Sequence, residues 1–87
     1  MHPRQIKQEH SFTAELTQLF EFAKDADSLL EGATIFFSIR AETGKKLPDS
    51  AMRFKIISDF QRDRYLVIFY MFDDECVYLH SIKEFSS

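Results

Sequence analysis

The residues of this chain that could carry chemistry are few, and most are basic. Arg53 and Lys55 stand two apart in the run MRFKIIS at positions 52–58. Alternation along an extended strand puts both on one face, where two cations could hold a phosphate and stabilise charge developing on it. The plainer reading is a solvated strand face, which Ile57 continues, implying that the face is half covered. Arg62 and Arg64 read either as ligand contacts or as turn residues paired with Asp59 and Asp63 at little gain. His80 is a candidate general acid or base, because imidazole titrates near neutrality. Strand alternation sets it with Tyr78 and Ile82, so it reads equally as a hydrogen-bonded rim histidine.

Other chemistries are poorly served. The single cysteine, Cys76, excludes an internal disulfide and a cysteine-based zinc site. No basic neighbour in sequence lowers its pKa, so it reads as a buried apolar thiol. His2 and His10 have no spacing that joins them to His80 in a metal site. Asp73, Asp74 and Glu75 are consecutive carboxylates and read as a solvated turn. Serine-nucleophile, phosphate-loop and dinucleotide signatures are absent, so no metal and no cofactor is expected.

The elements that must position these residues lie mainly in the C-terminal half. Residues 64–72 (RYLVIFYMF) and 76–82 are strand-like runs around the acidic break and read as a β-hairpin. Residues 52–58 form a preceding strand. Residues 11–24 form a helix with Ser11 as N-cap and Phe12, Leu16, Leu19, Phe20 and Ala23 on one stripe. The acidic 25–27 segment ends it. Residues 28–41 form a second helix, with Ser28 and Glu31 at capping-box spacing, although its TIFFSI segment also suits a buried strand. Gly44 closes it, residues 45–50 are a loop, and the polar 1–10 segment is an edge strand.

The fold expected is α+β: an N-terminal edge strand and an αα-hairpin packed on a C-terminal three-stranded antiparallel meander, all in one domain, residues 1–87. A length of 87 residues, with 45% hydrophobic residues, ten Phe and only two Gly and two Pro, supports one ordered core. The net charge of −3 argues against nonspecific nucleic-acid binding by the whole molecule. Residues 40–64 nevertheless hold seven basic against four acidic residues. The first residues are polar, and the longest apolar run is too short to span a bilayer, so a cytoplasmic protein with no membrane partner is expected. The strand 64–72 is apolar on both faces, which is normal for a strand buried on both. Two helices cannot cover both faces, so a partner segment or a second subunit is expected to cover the other.

This layout resembles the RelE/ParE superfamily of bacterial toxins. HSFTAELTQLF resembles the start of the family's first helix, GKKLPDSAMRFKI its loop and second strand, and RYLVIFYMFDDECVYLHSI the ParE-like third and fourth strands. The resemblance implies a toxin neutralised by a cognate antitoxin in a type II toxin–antitoxin pair. RelE-like members cut messenger RNA on the ribosome without a metal, and ParE-like members poison DNA gyrase. On the RelE pattern, Arg53 and Lys55 would contact phosphate, Arg64 would stabilise developing charge, and His80 or Lys83 would assist proton transfer. Leu66 stands where RelE-type strands carry arginine, and the resulting Tyr-Leu order is closer to ParE-like members. An endoribonuclease and a non-catalytic binder both stay open. The reading from another class is a structural or interaction module, for instance a homodimer.

Overall fold

Strand alternation in the C-terminal third builds the sheet on which everything else is placed. The computed structural model describes residues 3–59 and 61–85. Its order is β1 (Gln5–Gln8), α1 (His10–Leu19), α2 (Ala23–Arg40), a short 3-10 turn (Ala41–Thr43), β2 (Lys45–Lys46), β3 (Arg53–Asp59), β4 (Arg64–Phe72) and β5 (Cys76–Phe85). The strands form one sheet in the order β1-β5-β4-β3-β2. β1 pairs with β5 in parallel, and the other three pairings are antiparallel. The expected α+β class is observed, with β1 at an edge and the β3-β4-β5 meander in place.

Both helices lie on one face of that sheet. The core joins Phe12, Leu16 and Phe20 to Ala26, Ala33 and Phe37, and all of these to Leu66, Ile68, Tyr70, Val77, Leu79 and Ile82. Phe12, Phe37, Leu66, Ile68 and Tyr70 are wholly enclosed. Aromatic packing supplies much of the fit, with the Phe37 and Tyr70 rings 4.6 Å apart, edge to face.

The helix boundaries differ from those read in the sequence, for a long-range reason. The α1 helix stops at Leu19, not at residue 24, because Arg64 Nη2 donates to the Leu19 carbonyl at 2.7 Å. That bond satisfies an end carbonyl that the helix itself cannot. Phe20 then turns extended and packs under the guanidinium groups of Arg62 and Arg64, 4.9 and 5.1 Å from its ring centre. Asp25 does not end a helix but sits in the first turn of the next, where the helix dipole favours an anion. Ser28 and Glu31 therefore lie inside α2 and cap nothing. Ser11 is likewise not the N-cap, which is Glu9; its hydroxyl donates to the His80 carbonyl at 2.7 Å.

Two further corrections concern the strands. The 45–50 loop contains the short edge strand β2. Gly44 is not a left-handed helix stop, since its φ is −67°. Its lack of a side chain matters for a different reason: a Cβ there would collide with the Tyr70 hydroxyl and stand 3.0 Å from the Phe54 carbonyl oxygen. Among the described residues no helix is long and apolar enough to cross a membrane.

Candidate functional site

β3 places Arg53 and Lys55 side by side on the helix-facing side of the sheet, near its β2 edge. They are differently engaged. Arg53 Nη1 donates to the carbonyls of Gly44 at 2.8 Å and Glu42 at 3.1 Å. Its guanidinium also lies 5.3 Å from the centre of the Phe72 ring. Arg4 shares that ring at 4.8 Å, and donates to the Glu42 carboxylate at 3.0 Å and the Asp73 carbonyl at 2.8 Å. The Glu42 carboxyl is held below its usual range by its own backbone amide and then by Arg4 and Arg53. Lys55 has no carboxylate partner among the described residues; its ammonium lies 5.1 Å from the centre of the Phe36 ring. It borders two hollows: one of about 230 Å³ beside Thr43, Gly44 and Phe54, the other of about 320 Å³ beside Leu29, Ala33, Phe36 and Ile57.

Arg64 belongs to another cluster. Its Nε donates to Asp59 at 3.0 Å, and Glu84 lies 3.7 Å from it. Arg62 adds Asp25 at 2.7 Å and Asp59 at 3.8 Å. Asp59 is the one buried charged residue of the described chain, 5% exposed, so its carboxylate needs these partners. This network ties the end of α1, the start of α2 and the β3–β4 turn together. Arg53 faces Tyr70 across the ladder and Arg64 faces Asp59. At strand spacing the two arginines are roughly 20 Å apart.

His80 and Lys83 lie on β5, one strand beyond β4. The ladder shifts register between Phe69 and Tyr70, pairing them with Ser81 and Leu79 and leaving His80 as the extra residue. This bulge breaks the alternation. His80 is exposed while Ile82 is buried in the helix-side core, so the two do not share a face as the sequence suggested. His80 Nδ1 lies 3.3 Å from the Glu9 carboxylate. Lys83 pairs with Glu15 of α1. Glu15 also accepts from the Ser81 hydroxyl at 2.7 Å and the Ile82 amide at 3.3 Å. Burial pushes its carboxyl up, but the bonds from Lys83, Ser81 and Ile82 outweigh that and hold it below the ordinary value.

The five basic candidates thus fall into three groups: Arg53 with Lys55, Arg64 with Asp59, and His80 with Lys83 along α1. The third group stands about two strand spacings, roughly 10 Å, from the first. Sequence reasoning missed Arg4, Glu42 and Phe72, which surround Arg53. Nothing in spacing links Arg4 to a strand 50 residues away. His2 lies outside the described residues. The Asp73 carboxylate is spent on the amides of Glu75 at 2.8 Å and Cys76 at 2.7 Å, which hold its carboxyl low.

Among the described residues no helix lies over the other face of the sheet. The register brings Phe54, Ile56, Tyr65, Val67, Phe69 and Met71 together there. Tyr78 and Cys76 extend the surface on β5. Tyr65 is 56% exposed and Met71 36%. Cys76 is buried, as expected of an apolar thiol. By register Lys7 lies beside Tyr78 and Lys45 beside Phe54 on this face; Lys83, beside Val67, pairs with Glu15 of α1, and the Asp73 carboxylate accepts from the Tyr78 hydroxyl at 3.4 Å. It is an apolar surface on which Ile56, Tyr65 and Met71 are exposed, with Lys7 and Lys45 at its two edges. No protein-family model matches the sequence, and no curated protein matches it.

Proposed function

We propose that this chain is the toxin-like member of a bacterial type II toxin–antitoxin pair, with a RelE/ParE-type fold, acting by binding a macromolecular target. One observation carries the reading: among the described residues a mixed sheet is covered by helices on one face, while the other is apolar, without a helix, and has Lys7 and Lys45 at its edges. The order edge strand, helical hairpin, meander is the order the superfamily would require. A cognate antitoxin segment, amphipathic and acidic, suits the bare face, since its apolar side would cover Phe69 and Met71 and its carboxylates would meet Lys7 and Lys45.

Binding to a gyrase-like target is preferred over messenger-RNA cleavage on the ribosome. Arg53 and Lys55 could hold a phosphate, but His80 and Lys83 stand across the sheet from them and are engaged by Glu9 and Glu15. Arg64 is committed to Asp59 and Leu19. Proton transfer at a phosphate on Lys55 would therefore not fall to His80, Lys83 or Arg64, the residues the RelE pattern supplies beside Arg53 and Lys55.

Induced expression of the chain in a bacterium should arrest growth, and co-expression of the product of an adjacent gene should restore it. Soluble, harmless accumulation would favour the structural or interaction module instead. RNA cleavage that disappears in the Arg53→Ala, Lys55→Ala double variant would reinstate the nuclease.

A further inference from the structure

Midway along α2 stand Gly32 and Ala33, whose side chains are too small to reach across to β3. The seam between helix and strand stays open there, as a hollow of about 320 Å³. Leu29, Ala33, Phe36 and Ile57 give it apolar walls, and a Cβ added to Gly32 would meet nothing within 4 Å. Ala33 is buried, and Leu29, Phe36 and Ile57 pack against the core while only partly covered, so core packing fixes the shape of the walls. A second hollow, of about 230 Å³, lies beside Thr43, Gly44 and Lys45. Lys55 lines both and joins them.

The charges along this seam are of one sign. Lys45 and Lys55 are the only charged residues lining the two hollows among the described residues. Neither ammonium has a carboxylate partner among them. Lys55 is half-buried, with its ammonium 5.1 Å from the centre of the Phe36 ring. The ring face holds the cation at the junction, but supplies no counter-charge, and a partly desolvated cation gains from an anion beside it. This occurs in a chain whose net charge is −3.

We propose that the seam binds a free anionic amphiphile, a short alkyl carboxylate. Its carboxylate would sit between Lys45 and Lys55, and its tail would lie along Leu29, Phe36 and Ile57. A mostly apolar hollow with few polar groups is the usual form of a small-ligand site, and this one is at the small end of the range. A bare inorganic anion would leave the apolar hollow unused, and a neutral tail would leave the two ammoniums unmatched. The larger cleft between α1 and α2, about 390 Å³, is also apolar through Leu16, Phe20 and Leu30, but its charged lining residues are Glu21 and Asp27. It repels a carboxylate and serves as an internal control. The assignment does not rest on the toxin reading.

The test follows backbone amide chemical shifts of the isotope-labelled full chain during titration with octanoate, kept below the concentration at which it forms micelles. Saturable shifts should appear at Leu29, Phe36, Lys45 and Lys55, and not at Glu21 or Asp27. Octanol, which has the tail without the charge, and acetate, which has the charge without the tail, should each bind at least about tenfold more weakly. Lys55→Gln should weaken octanoate by a similar factor. Gly32→Leu puts a side chain into open space and improves helix propensity, so it should keep the fold and the melting temperature while blocking the tail. The proposal is overturned if no saturable shift appears, if octanol or acetate binds as tightly as octanoate, or if either variant binds octanoate undiminished. Shifts centred on Phe69 and Met71 would also overturn it, by moving the ligand to the bare face.

Discussion

Arg53 and Lys55 are two residues apart on one strand, yet they have different employment. Arg53 braces the turn after α2 through two carbonyls, whereas Lys55 leans on Phe36 and holds no carboxylate among the described residues. Arg53→Ala should therefore cost about 1–2 kcal/mol of stability, read as a lower denaturant midpoint. Lys55→Ala should change stability by less than about 0.5 kcal/mol while losing whatever affinity for anions the site has. Glu15 gives a pH signature. Its folded pKa is depressed, so its contribution is complete above the ordinary value near 4.5 and is lost as pH falls through the lower folded value. The stability gap between wild type and Glu15→Gln, measured by denaturant unfolding, should be largest near neutrality. It should shrink as pH drops below that ordinary value, and a gap that widened instead would contradict the assignment. The pairing of Arg53 with Lys55 on one strand face was legible in the sequence because strand alternation is local. The position of His80 was not, because a bulge adds one residue to β5 and reverses the face of everything on one side of it.

At the scale of elements, local pattern served the strands better than the helix ends. The β4 span was legible to the residue, since eight apolar residues run between the charges of Arg64 and Asp73. The end of α1 was not, because it is set by Arg64, 45 positions further along. The acidic pair Asp25 and Asp27 looked like a break, and became the start of α2 once Arg62 was in reach of Asp25. The Asp59 cluster is accordingly the joint between helices and sheet. Arg64→Ala removes a partner of a buried carboxylate and the cap of α1 together. It should cost about 3–5 kcal/mol, seen as a large fall in melting temperature with α1 amides exchanging faster than those of β4. A small change in both would show that Arg62 alone can hold Asp59.

At the scale of the molecule, the asymmetry of the sheet is what invites a function. A strand apolar on both faces, read from sequence, implies two covers, and the described residues supply one of them. Two lysines, Lys7 and Lys45, stand beside this surface by register. What the sequence could not reveal is that the basic residues it singles out are divided among three places, two of them occupied by carboxylates. That division favours a binder over a nuclease. The most direct measurement is bacterial growth after induction of the wild-type chain and of an Ile56→Glu, Phe69→Glu variant, both confirmed folded by circular dichroism. The wild type should arrest growth, and the variant, with two carboxylates on the bare face, should not. Unimpeded growth with soluble wild-type protein, or equal arrest by both chains, would contradict the account.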